Sequence, residues 1–291
     1  MKARFKHAFF PFVLLVVVGL GGCTQNDIFN DETSLGSRQI SGTVLLADGS
    51  SPAGAYVWLS GFDVGTYTDA NGKFQLTLPV PSQQGGVSGR SGVFTVYFYL
   101  GNYWLDSAQV VTRDGAFVYE KGDVNKQGEL YAPKRLQRFL HIATSVQPLT
   151  ASTLGAESTI VYVTLRAEPN AVTVIFPNVC PDRDCPAHRV GAVFLRNQTS
   201  REVFVMQMSP GAQSRHVVTV GQAPVVRSMA FSLNGVAIPP GRYEVIPYLW
   251  VTYLKLPTGL VESLGPDVLA LSPEYLKMPF VRESAWLEVK N

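Results

Sequence analysis

Residues 40–79 read ISGTVLLADGSSPAGAYVWLSGFDVGTYTDANGKFQLTLP. Four short apolar, β-branched and aromatic runs alternate with glycine-, proline- and aspartate-rich breaks, the signature of strands joined by turns. Ser41 to Leu46 reads as a first strand, Asp48-Gly49-Ser50-Ser51-Pro52 as a turn, and Ala55 to Leu59 as a second strand. In that second strand Ala55, Val57 and Leu59 share one face, while Tyr56 and Trp58 share the other, because side chains alternate along a strand. Gly65 to Asp69 is a third strand, Asn71-Gly72 a tight hairpin turn, and Lys73 to Leu78 the returning strand, with Phe74, Leu76 and Leu78 on one face. A calcium loop at Asp69-Ala70-Asn71-Gly72 would need further oxygen ligands and a distal glutamate, and KFQLTLPV follows instead.

The glycine- and serine-rich run PSQQGGVSGRSG (81–92) lacks the Gly-x-Ser-x-Gly spacing of a nucleophile elbow at Ser88 or Ser91. Strands follow at Val93 to Leu100 and Trp104 to Thr112, and Gly115 to Tyr119 turns back through Arg113-Asp114-Gly115. Pro133 to Leu140 reads as one short helix with Leu136, Phe139 and Leu140 inward and Lys134, Arg135 and Arg138 as solvated surface charge. Ser158 to Arg166, STIVYVTLR, reads as the closing strand of the same domain, with residues 113–157 as an elaboration.

The pieces Gly42-Thr43-Val44, Asp48-Gly49, Pro52, Gly54-Ala55, Gly65-Thr66, Thr68-Asp69, Gly72, Phe74 and Leu76 together resemble the carboxypeptidase regulatory-like domain. That resemblance implies a small transthyretin-like β-sandwich with a structural or binding role, and no hydrolase activity of its own.

Toward the N-terminus, Lys2, Arg4 and Lys6 precede an apolar run from Ala8 to Leu20, shorter than the roughly 20 residues of a comfortable membrane span and suited to a signal-peptide core. Leu20-Gly21-Gly22-Cys23 resembles the lipobox of bacterial lipoproteins. The resemblance implies cleavage after Gly22 and acylation of Cys23, with palmitate-type chains as a membrane anchor. Thr24, rather than an aspartate, follows the cysteine, which favours the outer membrane of a Gram-negative envelope. The polar stretch to Ser37 reads as a tether. Removing residues 1–22 takes three of the 24 Lys and Arg, leaving 21 against 22 acidic residues. The mature chain is therefore near neutral, and a nucleic-acid partner, which needs concentrated positive charge, is not expected.

Beyond the Ala167-Glu168-Pro169-Asn170 break, strands are expected at Val172 to Phe176, Gly191 to Arg196, Glu202 to Met208, Arg215 to Val220, Val225 to Leu233 and Gly241 to Leu256, with a hairpin at Asn197-Gln198-Thr199-Ser200. Pro239-Pro240-Gly241-Arg242-Tyr243 resembles the entry to a late strand in Ig-like envelope domains. The expected architecture is all-β: signal peptide 1–22, lipidated tether 23–37, a regulatory-like sandwich 38–167 and an Ig-like sandwich 168–291. Cys180 and Cys185 are an even pair in an oxidising compartment and read as a disulfide. A zinc set of Cys180, Cys185, His188 and an aspartate has the wrong spacing.

No metal or cofactor is expected. Two aromatic groups, Tyr97, Tyr99, Tyr103 and Trp104, and Tyr248 with Trp250, are candidate ligand contacts, with core packing the simpler use. The expected function is a membrane-anchored, non-enzymatic binding or scaffolding lipoprotein of the cell envelope with a protein or glycan partner. The alternatives are glycan capture for uptake and a hydrolase built on His141, His188 or His216.

Overall fold

The chain's computed structural model describes residues 37–85, 88–179, 188–208, 211, 214–252 and 256–291. Cys23, Cys180 and Cys185 lie outside the described residues. The described chain is all-β, built from sandwich-like layers, and the described residues form a single compact unit.

The first layer pair uses β1 (Gln39–Leu46), β2 (Tyr56–Leu59), β3 (Val64–Tyr67), β4 (Lys73–Thr77), β5 (Gly92–Tyr99), β6 (Asp106–Arg113), β7 (Ala116–Phe117) and β8 (Lys134–Leu136). One sheet has the order β4-β1-β8, the other β3-β2-β5-β6-β7. Alternation along each strand sends Val44, Leu46, Val57, Leu59, Phe74, Leu76, Phe98 and Val110 into the core between them. Gly42 occupies an inward position where a Cβ would come within 2.8 Å of the Phe74 ring, so the absence of a side chain is what lets that ring pack there.

The Asn71-Gly72 turn forms, with Gly72 at φ 76° and the Asp69 carboxylate accepting from the Asn71 and Lys73 amides. It does not close a hairpin ladder: β3 pairs with β2 and β4 pairs with β1, so the turn carries the chain from one sheet to the other. The helix expected over 133–140 is likewise replaced. Lys134–Leu136 extends to pair in parallel with Val44–Leu46, which buries Leu136 while β1 gains a second neighbour.

The second sandwich uses β9 (Leu140–Gln147), β10 (Thr150–Ser152), β11 (Ser158–Ala167), β12 (Val172–Val179), β13 (Ala192–Asn197), β14 (Val203–Gln207), β15 (Ser214–Val220), β16 (Val225–Ser232), β17 (Gly241–Pro247), β18 (Trp250–Thr252) and β19 (Ala285–Lys290). The sheets run β10-β19-β17-β13-β14, β16-β11-β9 and β15-β12-β18. The strand at 158–167 pairs over eight residues with β16 and over eight with β9, and its Val161, Val163 and Leu165 fill the second core. It is therefore not the closing strand of the first sandwich, and the changeover between the two cores falls between Leu136 and Phe139. The single strand expected over 241–256 is broken after Pro247, and its two pieces join different sheets.

The hairpin at Asn197 forms as expected, with Asn197 Oδ1 accepting from Thr199 and Ser200. Tyr243 is fully buried and its hydroxyl donates to the Pro239 carbonyl at 2.7 Å. This link pins the start of β17 back on the preceding loop, as the tyrosine corner does in Ig-like sandwiches.

Between β18 and β19 the chain leaves the sheets as a strap, described from Leu256 onward, with 3-10 turns at Glu262–Leu264 and Pro273–Lys277. Leu260, Leu264, Val268 and Met278 cover Tyr56, Trp58 and Tyr99 on the outer face of the first sandwich. Tyr275, Leu271 and Leu276 cover Phe194, Ile246 and Tyr248 on the outer face of the second. One irregular segment thus supplies the apolar layer between two sheets whose outward aromatics would otherwise meet water.

Candidate functional site

The outward aromatics explain where the strap goes. Tyr56 Oη donates to the Ser263 carbonyl at 3.3 Å and Tyr67 Oη to the Lys277 carbonyl at 3.0 Å. Tyr99 Oη meets the Met278 sulfur at 3.4 Å. Tyr97 stacks on Trp58 with ring centroids 5.9 Å apart. Tyr248 is buried, its hydroxyl donating to Leu269. Of the six aromatic candidates, only Trp104 is exposed, at 38%, and its ring lies 4.8 Å from that of Phe139. Trp250 is half-buried under Arg215, whose guanidinium carbon is 4.9 Å from the ring centroid. Tyr99 and Trp250, one from each group, line the same apolar cavity of about 260 Å³.

Two polar junctions complete the fusion. The first is Asn102, fully buried, whose Nδ2 donates to the carbonyls of Leu140 (2.9 Å) and Val281 (2.8 Å) while its Oδ1 accepts from the Val281 amide (3.1 Å). The second is Arg138, expected as solvated charge but only 11% exposed at its side chain. Its Nε lies 2.7 Å from Asp48 Oδ2 and 2.8 Å from Tyr103 Oη, and Nη2 donates to Ser50 Oγ at 2.6 Å. Tyr103 in turn donates to Asp48 at 2.8 Å. Asp48 and Ser50 belong to the turn after β1, so a residue just before β9 is clamped to the first sandwich by charge-assisted hydrogen bonds. His141 Nδ1 accepts from Arg138 Nη1 at 3.3 Å, and burial, with the Arg138 and Arg166 charges, holds its pKa below the usual range. That histidine is positioned as a neutral acceptor of a structural arginine.

A cleft of about 570 Å³ remains beside the strap, and Gly54, Tyr67, Arg196, Glu244, Lys277 and Arg282 are among the residues lining it. Arg196 and Glu244 sit directly opposite one another on β13 and β17 and form an ion pair. Ser284 Oγ donates to the other Glu244 oxygen at 2.6 Å. Burial pushes the Glu244 carboxyl up, but the hydrogen bonds from Ser284 and Arg196, with the nearby arginine charges, outweigh it and hold the pKa below the ordinary carboxylate value. The Arg282 guanidinium stands 4.5 Å from the Phe280 ring centroid. The cleft is thus a polar, ionised seam at the meeting of both sandwiches, suited to hydrogen-bonding a partner's polar groups. Among the described residues, no group of three or more His, Cys, Asp and Glu converges as a metal set.

Asp48 shares the behaviour of Glu244. Burial raises its pKa, and the Ser50 amide, Tyr103 and Arg138 more than reverse that. Because both native pKa values lie below their unfolded values of 3.8 and 4.5, the stabilisation is fully present above those values and is lost as pH falls through the native ones. Melting temperature is therefore expected to fall between pH 5 and pH 3, and to fall less steeply in Glu244→Gln. Parallel pH profiles for the two proteins would contradict this assignment.

No family model and no curated protein matches the chain. Among solved structures it is similar to BcpA, the major pilin subunit of Bacillus cereus, in a variant form at 12% identity over 74% of this chain and 67% of that one, with a TM-score of 0.24. A second BcpA structure aligns at 12% identity over 71% of this chain and 62% of that one, with a TM-score of 0.22. A mutant of the major pilin from Streptococcus pyogenes aligns at 8% identity over 73% and 82%, with a TM-score of 0.21. Scores at this level carry no argument, and the all-β assignment rests on the sheets themselves.

The strap and both polar junctions go beyond the strands and aromatic groups expected from sequence. One local signal pointed to the strap: Tyr56 and Trp58 put large aromatics on the face of β2 opposite its core residues, which marks a strand covered on both sides.

Proposed function

We propose that this protein is a non-enzymatic envelope lipoprotein: an acylated Cys23, a polar tether to Ser37, and a fused pair of sandwiches that presents a rigid binding or scaffolding surface. The observation that carries the reading is the strap, which packs Leu260 and Leu264 on one sandwich and Tyr275 on the other, so that one body is displayed rather than two modules on a hinge. The regulatory-like motif of residues 42–76 supports an accessory, non-hydrolytic role for the first sandwich. The aromatic candidates Tyr97, Tyr99, Tyr103 and Tyr248 are engaged with other protein groups, which favours an envelope protein over a glycan as partner. Thr24 favours the outer membrane, and a Cys180–Cys185 disulfide would staple the loop before His188.

The anchor is tested by labelling. Radiolabelled palmitate is expected to enter the unaltered protein and not Cys23→Ala. Incorporation surviving in the variant, or absent from the unaltered chain, would overturn the anchor.

A further inference from the structure

One charged side chain serves none of the junctions described above. Arg227 lies on β16 between Val225 and Met229, on the face that points into the second core, opposite Val163 of β11. It is 9% exposed, and its Nε and Nη1 have no hydrogen-bond partner among the described residues. The ion pairs among the described residues leave it out as well. A guanidinium does not deprotonate at any ordinary pH, and burying it uncompensated costs several kcal/mol after relaxation. Buried polar groups are otherwise almost always satisfied, so this fork calls for a partner with lone pairs and negative charge.

Among the described residues, no carboxylate pairs with Arg227. His216 on β15, directly across from Phe176 of β12, is half-buried, and burial together with the Arg227 charge pushes its pKa down. The Arg227 guanidinium is near enough for its charge to act on the His216 ring, and the planar fork of arginine matches the paired oxygens of carboxylate or phosphate.

We propose that Arg227, with His216 beside it, is an oxyanion-binding centre on the core-facing side of β16, taking the carboxylate or phosphate group of an external ligand or partner. The test is thermal unfolding of the mature chain in chloride, inorganic phosphate or acetate at constant ionic strength. A saturable rise of a few degrees with phosphate assigns a phosphate site and one with acetate a carboxylate site, since binding to the native state alone raises the melting temperature by mass action. Arg227→Met removes a buried charge without leaving a cavity, so it should fold, and it is expected to lose the response. Arg227→Lys keeps the charge without the fork and is expected to retain only part of it. Equal responses in all three proteins, or none in the unaltered chain, would overturn the proposal. So would a response confined to the Asp182→Asn/Asp184→Asn variant, because the chain's own carboxylates would then be the guanidinium's partners.

Discussion

Tyr275→Ala is expected to destabilise the protein by about 3–5 kcal/mol, the range for deleting a fully buried aromatic side chain. Tyr275 is fully buried, its ring stacks on Phe194 at 5.2 Å and meets Tyr248 edge-on at 4.9 Å. Its hydroxyl donates to the Leu249 carbonyl at 2.7 Å and accepts from Arg282 at 3.3 Å. Alanine removes the ring that docks the strap on the second sandwich, so the variant should also be cut by protease within 256–284 faster than the unaltered chain. Tyr275→Phe keeps the stacked ring and loses only the hydroxyl bonds, for a cost of about 1–2 kcal/mol. A Tyr275→Ala protein that melts and resists protease like the unaltered chain would mean that the strap is not what joins the sandwiches.

Asn102→Ala is expected to cost about 3 kcal/mol, because three backbone groups, one buried and two part-buried, lose their partner and each unsatisfied buried group costs about 1–3 kcal/mol before relaxation. Those groups are the Leu140 and Val281 carbonyls and the Val281 amide, one at the start of β9 and two just before β19. The backbone carbonyl of residue 102 still accepts from Phe139 and Leu140, so the local turn should survive while the junction loosens. Chemical denaturation reads the result as a lower midpoint. An unchanged midpoint would show that this side chain contributes nothing to the fusion.

What was legible in the sequence was local. Phe74, Leu76 and Leu78 were expected on one face and are all buried. The Asn197 hairpin was readable because its side chain satisfies the turn's own amides. The Asn71-Gly72 turn was equally readable, but turn chemistry says nothing about which sheet receives the outgoing strand. Strand partnership is settled by packing between residues far apart in sequence, which is why Ser158–Ala167 was recognised as a strand and given to the wrong core. The strap has no period of either kind. Its proline, glycine and serine content reads as loop, and its buried residues Leu260, Leu264, Val268 and Met278 become meaningful only beside Tyr56 and Trp58. Arg138 was misread for the same reason: its carboxylate partner, Asp48, lies ninety residues earlier in the chain.

A lipid anchor on Cys23, as proposed, would define where the fused body works, and the mature N-terminus tests it most directly. Intact-mass and N-terminal peptide spectrometry of protein purified from membranes is predicted to find Cys23 as the first residue, bearing acyl chains. A mature chain that begins elsewhere, or a Cys23 with a free thiol, would contradict the account.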